Sequence, residues 1–442
     1  MGDQLNIATL NPVRISRSRL LVATTIGNAL EFFDFTVFGF FSIIIGHQFF
    51  SPLSADGQLM SSVATFGVGF VMRPIGGILI GVYADRAGRR AAMTLTLSLM
   101  TLGVCLAGLT PAYAEIGIAA PVLMVIARLI QGFSAGGEVG PATTVMLEYA
   151  PTGERGYYTS WQLASQGMGI GAGAAMAAAL AYLLPHDALY SWGWRLPFLL
   201  GALILPAGIV IRRQLGEFES APRGSVRASA PRSPFADLLR EHSRHLGAGV
   251  LLVMGGVVTA YMLIFFIPTY AIRELKLDES ASYACAMASG LVMAVMSPVA
   301  GKIADAFGRT IPIISARLVL IVSLYPAYVW LSSNPSVFRL FAVIVGLTFF
   351  YTIQGAPSIT LVPELFPKSL RATATGSVYS FGVALFGGLT QLVAVWLIHV
   401  TGNRSSPAVA ATICMVLSTF AFLFIKRLPD ALEDGAGGRH VT

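Results

Sequence analysis

Charge is scarce in this sequence. Asp, Glu, Lys and Arg make up 12% of its 442 residues, against 55% hydrophobic, and the mean hydropathy is +0.72. A soluble domain carries about twice that share of charge, so a soluble enzyme is excluded. Cysteine is nearly absent: Cys105, Cys285 and Cys414 lie in apolar runs, without the spacing of a disulfide framework or a metal site. They read as small hydrophobes. No Gly-x-x-x-x-Gly-Lys-Ser/Thr loop is present to cradle nucleotide phosphates. Metal-ligand and nucleophile clusters are lacking too, so no cofactor, metal or covalent chemistry is expected. The first 19 residues are polar and basic without a cleavable signal pattern, so the first span is expected to stay.

What the chain has instead is apolar runs long enough to cross a bilayer, which takes roughly 20 helical residues. Twelve are expected, near 20–45, 58–83, 91–109, 121–149, 158–184, 194–211, 246–271, 280–305, 311–332, 336–362, 373–400 and 406–425. The fold class is therefore all-α integral membrane. The expected division is an N-terminal arm (1–19), a six-helix bundle (20–211), a linker rich in Arg, Ser and Pro (212–245), a second six-helix bundle (246–427) and a polar tail (428–442). The net charge of +7 does not point to nucleic acid. With the N-terminus inside, about 21 basic residues fall on cytoplasmic segments and about five outside, a strong positive-inside bias. Both termini are expected in the cytoplasm.

The halves repeat. Gly81-x-x-x-Asp85-Arg86-x-Gly88-Arg89-Arg90 is echoed half a chain later by Gly301-x-x-x-Asp305-x-x-Gly308-Arg309. Glu148-Tyr-Ala-Pro151 with Arg155 is echoed by Glu364-Leu-Phe-Pro367 with Arg371. Duplicated bundles are what alternating access around a central site uses. A channel is the alternative of a different class; saturable uphill transport separates the two.

The most informative stretch is Gly27-Asn28-Ala-Leu-Glu31-Phe-Phe-Asp34-Phe35, inside the first span. Asn28, Glu31 and Asp34 step by three and share one helix face. Ionisable groups at such depth mark an ion or solute pathway, or else a polar seam between helices. Counting 1.5 Å per residue, Glu31, Arg73 and Glu138 lie roughly 15–18 Å deep, Asp34 roughly 20 Å, and Arg128 further out. These charges approximately cancel. Asp34 is the first candidate for the proton site, with Glu31 and Glu138 behind it. Arg73 and Arg128 are candidates for substrate carboxylates, because a guanidinium offers bidentate donors. Arg73 could instead serve the carbonyl freed by Pro74, and Glu138 could simply pair with Arg73. Asn28, Gln131, Gln162, Tyr261, Tyr351, Gln354 and Ser358 are candidates for hydrogen bonds to substrate, with packing or anchoring as the alternative for the tyrosines. His47 and His399 read as interfacial, and Arg317 as able to snorkel. Asp85, Arg86, Arg89, Arg90, Glu148, Arg155, Asp305, Arg309, Glu364 and Arg371 are expected to form charge clusters that close the cytoplasmic side.

The paired loops and Arg128-Leu-Ile-Gln131-Gly132 in span four resemble the major facilitator superfamily. Gly27-Asn28-x-x-Glu31-x-x-Asp34-Phe35, Phe70-x-x-Arg73-Pro74-x-Gly76 and Gln131-Gly-x-x-x-Gly-Gly-Glu138 are similar to its metabolite:proton symporter family, as are Trp194-Arg195-x-Pro197-Phe198 and Pro363-Glu364-Leu-Phe-Pro367. His186-Asp187, Phe386-Gly-Gly-Leu-Thr390 and Thr401-Gly-Asn-Arg-Ser-Ser-Pro407 look most like its citrate and tricarballylate carriers. The resemblance implies a monomeric, proton-coupled symporter in the bacterial inner membrane, with citrate or another tricarboxylate as substrate. It also implies a proton-coupling role for Arg128 as an alternative to substrate contact. Carriers of 2-oxoglutarate, shikimate, proline and betaine share the framework and remain open alternatives.

Overall fold

The computed structural model describes residues 17–87, 89–137, 139–202, 234–368 and 370–425, and every regular element among them is helical. Helix α1 runs Arg17–Phe40 and continues, bent by 63°, as Ser42–Phe49. Then come α2 (Ala55–Ala87), α3 (Arg89–Leu109), α4 in two pieces (Ala119–Ala135 and Val139–Tyr149) and α5 (Arg155–Leu183). The described part of α6 covers 196–202. In the second half are α7 (Ser243–Arg273), α8 (Glu279–Phe307), α9 (Thr310–Ser333), α10 (Val337–Glu364), α11 (Arg371–Thr401) and α12 (Ser406–Leu423). Eight described helices are long and apolar enough to span a bilayer, and the bent α1 makes a ninth. Shorter apolar stretches lie in α3 (Thr94–Leu109) and α4 (Ala119–Ala135). The all-helical, membrane-spanning fold stands as the sequence suggested, while 203–211 of the expected sixth span lie outside the described residues.

Two local expectations change. The fourth span is not continuous: it turns at Gly136-Gly137, next to the undescribed Glu138. A Cβ on Gly136 would fall on the carbonyl of Arg73, so α4 meets α2 backbone to backbone there. Second, residues Pro234–Glu241, read from sequence as linker, form a short helix that packs on α7 and α11.

Two seams join the halves, α5 against α8 and α2 against α11. A swap of the halves exchanges α2 with α8 and α5 with α11, so each seam is the counterpart of the other. Glycine makes both possible. A Cβ on Gly290 of α8 would stand 2.6 Å from the carbonyl of Gly167 on α5, and one on Gly388 of α11 would stand 2.9 Å from that of Gly67 on α2. Small residues are what let helices associate closely in lipid. Large apolar side chains such as Val71, Leu102, Val322, Phe338 and Trp396 remain exposed on the protein surface, as a lipid-facing surface requires.

Candidate functional site

The helices leave a chamber between the halves, of about 930 Å3 with its open mouth included. It lies towards the end of the bundle where α1 begins and α12 finishes. The first half contributes Phe32, Arg73, Gln162 and Gln166. The second contributes Tyr261, Arg317, Tyr351, Gln354, Ser358 and Tyr379. Among the described residues, two arginines are the only charged groups lining it, and no described carboxylate does so. Two π-helical turns, Tyr261–Phe266 in α7 and Val383–Gly387 in α11, border it. Such turns recur at functional sites because they locally rotate the helix and re-aim its side chains.

Behind the chamber wall, α1 carries two ion pairs. Glu31 accepts from Arg73 Nη2 of α2 at 2.5 Å, with both residues buried. The guanidinium lies over the rings of Phe35 and Phe70, at 4.9 and 4.6 Å. Its Nε has no partner. One turn further along, Asp34 accepts from Arg128 Nη1 (3.2 Å) and from Gln131 Nε2 (3.3 Å), both on α4. Arg128 also lies 3.8 Å from the centre of the Phe38 ring. Close approach of α2 and α4 sets both pairs: a Cβ on Gly132 would overlap the carbonyl of Gly69, and one on Gly76 that of Phe133. The motif glycines are thus the means by which two arginines from neighbouring helices reach one face of α1.

The candidates divide accordingly. Arg73, Gln162, Tyr261, Tyr351, Gln354 and Ser358 line the chamber; Arg128, Asn28 and Gln131 do not. Arg128, expected to meet a substrate carboxylate, is taken by Asp34 in this conformation, because Phe38 and Gln131 enclose it. Asn28 donates to Gln162 O (2.9 Å) and Ser165 Oγ (2.8 Å), tying α1 to α5. Arg73 serves Glu31 rather than the carbonyl freed by Pro74. Arg317, expected to snorkel, is 1% exposed and points inward. Sequence reasoning missed its role, along with Gln166 and Tyr379; the signal was an arginine on an otherwise apolar helix. Glu138 and the side chains of Asp85, Arg86, Arg89 and Arg90 lie outside the described residues.

Contacts bridge the halves at both ends of the chamber. At its own end, the Asp305 carboxylate accepts from the backbone N–H of Gly156 (2.7 Å) and Tyr157 (2.8 Å) at the start of α5. A carboxylate there also meets the positive end of the helix dipole. Arg309 bridges Asp305 (3.2 Å) and Glu364 (3.3 Å), and Thr159 bonds Thr360 at 2.6 Å. Asp305 thus engages helix-end amides rather than Arg155. Glu148 is exposed, and no ion pair forms on it or Arg155 among the described residues. Arg371 donates to the carbonyls of Pro363 and Phe366 within its own half. At the far end, Tyr283 stacks on Phe40 (5.4 Å) and donates to its carbonyl. Tyr190 donates to Glu279 at 3.0 Å, Arg273 pairs with Asp56, and His399 stands 3.6 Å from Asp56.

A bundle of membrane-spanning helices in two matched halves, enclosing a polar chamber backed by buried ion pairs, defines a membrane carrier. The chain belongs to the Major Facilitator Superfamily, whose family model matches residues 24–389. It is 36% identical over 409 residues to a citrate-proton symporter of Salmonella typhi, covering 92% of this chain and 94% of that protein. A citrate-proton symporter of Klebsiella pneumoniae is 37% identical over 418 residues, with 93% of each chain covered. A putative proline/betaine transporter of Staphylococcus aureus (strain COL) is 32% identical over 429 residues, covering 95% of this chain and 91% of that one. Among solved structures, a D-xylose-proton symporter superposes with TM-score 0.72 at 16% identity, over 95% of this chain and 99% of that one. This last likeness concerns the fold alone.

Proposed function

We propose that this chain is a proton-driven symporter that imports citrate or a related tricarboxylate by alternating access around the central chamber. The observation that carries the reading is the chamber's charge: two guanidinium groups with several amides and hydroxyls, and no carboxylate among the described lining residues. Such a lining suits a polyanion. The likeness to two citrate-proton symporters across nearly the whole chain supports it.

Coupling follows from who holds Arg73. With the chamber empty, Arg73 pairs with Glu31, and both charges are satisfied. A substrate carboxylate that takes Arg73 removes that counter-charge from the buried Glu31, whose negative charge a proton can then neutralise. Glu31 therefore stands closer to the substrate step than Asp34, whose pair with Arg128 forms a second link along α1. Both closures are formed in this structure, and the loaded, neutralised carrier can release either the far-end contacts or the Asp305 latch. The protein works as a monomer, without cofactor, in the bacterial cytoplasmic membrane, with both termini inside.

A second reading, uptake of betaine or proline, is favoured by the rings of Phe32, Tyr261, Phe265, Tyr351 and Tyr379 around the chamber, which could face a quaternary ammonium. Uptake into proteoliposomes under an imposed pH gradient separates the readings. Labelled citrate should accumulate uphill and saturably, and tricarballylate should compete. Competition by betaine or proline alone would overturn the tricarboxylate assignment, and non-saturating flux would indicate a channel.

A further inference from the structure

Arg317 is among the largest wholly enclosed side chains in the protein, and it sits on α9 within a chamber wall. Its donors meet only neutral acceptors. Nε donates to Gln354 Oε1 (2.9 Å), Nη1 to Ser418 Oγ (2.9 Å) and Nη2 to the Leu252 carbonyl (3.2 Å). The other two deep arginines each face a carboxylate. Arg317 faces none among the described residues. A buried charge without a counter-charge is costly, and natural membrane proteins keep one where a ligand or pathway needs it.

A second observation points the same way. The Gln354 amide is 1% exposed, and its Nε2 has no partner. Because Oε1 is held by Arg317, the amide's N–H donors are the atoms left for the chamber. The Gln162 amide, across the chamber on α5, has neither of its polar atoms bonded. The chamber wall therefore holds a fixed positive charge with oriented, unfilled donors beside it.

We propose that Arg317, with the Gln354 amide it orients, is a second anion anchor, in the half opposite Arg73. The ligand it calls for carries at least two separated carboxylates, one on each anchor. A zwitterion with a single carboxylate leaves one anchor unfilled. Arg317 thus selects polycarboxylates over proline- or betaine-like solutes. This assignment rests on the reading of the chamber as the substrate site.

The test uses the full chain with Arg317→Gln and Arg317→Lys, measured for citrate affinity and for thermal stability with and without citrate. Removing Arg317 strands no carboxylate, and Leu252 O keeps its bond from Ser418 Oγ at 2.8 Å. The citrate-free Arg317→Gln protein should therefore melt no lower than the unaltered one. Its apparent citrate affinity should fall about 10- to 100-fold, the scale of a lost charge-assisted hydrogen bond, and citrate should no longer raise its melting temperature. Arg317→Lys should recover part of the affinity. A lower melting temperature without citrate, at unchanged affinity and unchanged citrate-induced stabilisation, overturns the proposal. If Arg317→Gln does not assemble, Gln354→Met removes the oriented amide together with the acceptor of Arg317 Nε. It must weaken citrate binding, and undiminished binding overturns the anchor. An unaltered protein that accumulates betaine and no polycarboxylate defeats the functional reading itself, and the anchor with it. Normal citrate uptake by Arg317→Gln defeats the anchor alone.

Discussion

The Asp34–Arg128 pair is buried: the residues are 4% and 1% exposed, and the charged atoms meet at 3.2 Å. Replacing one partner leaves the other as a lone buried charge, which costs about 3–5 kcal/mol. The two single replacements should differ. In Asp34→Asn the guanidinium keeps the face of Phe38 at 3.8 Å, an interaction that returns up to about 2 kcal/mol in a dry site. The unpaired Gln131 Oε1 is also at hand, so a loss of about 2 kcal/mol is expected. In Arg128→Met the carboxylate keeps only the Gln131 amide, and the loss should approach the full 3–5 kcal/mol. Removing both charges together should cost about 1 kcal/mol, because no ion is left stranded. Denaturant unfolding of the four proteins in one detergent at one pH closes the cycle. A coupling energy of about 3 kcal/mol or more is expected. Additivity within about 0.5 kcal/mol would refute the pairing.

Other perturbations follow from the same geometry. Asp305→Asn weakens the hold on the start of α5 by about 1 kcal/mol. A cysteine placed at Ser358, in a background without the native cysteines, should then label roughly fivefold faster from the chamber's end; unchanged labelling would remove Asp305 from the latch. Gly290→Val places carbon against Gly171 and Gly167 on the α5–α8 seam and should abolish transport at normal membrane expression. Gly346→Ala, with open space around the added carbon, should be silent. Outside the spans, Asp278 caps α8 by accepting from Ala281 N–H at 2.9 Å, and that bond holds its carboxyl below the usual range. Its contribution is therefore present above the ordinary carboxylate range and is lost as pH falls through the lowered value. Asp278→Ala should cost about 1 kcal/mol at neutral pH, with the difference from the unaltered protein closing in strong acid.

Much of the architecture was legible because apolar run length alone separates a spanning helix from anything else, and because the Asp305 loop repeats the Asp85 loop. The face of α1 was legible too, since a step of three puts Glu31 and Asp34 on one side. Which arginine each would meet was not. Arg73 lies 42 residues from Glu31 and Arg128 lies 94 from Asp34. Pairing is decided by how near α2 and α4 approach, through Gly69, Gly76, Gly132 and Gly136. Arg317 misled for a related reason. Depth along a helix says nothing about rotation around it, and α9 turns this residue towards α7, α10 and α12 rather than the headgroups. The π-helical turns at Tyr261 and Val383 leave no composition signal at all.

The exchange of partners at Arg73 is tested most directly by Glu31→Gln in proteoliposomes, with two assays on one preparation. Citrate counterflow at equal pH reads binding and reorientation; uphill uptake under an inward proton gradient reads coupling. Counterflow should persist while uphill accumulation disappears, because glutamine hydrogen-bonds but cannot carry the proton. Uphill accumulation at the unaltered level in Glu31→Gln would contradict it.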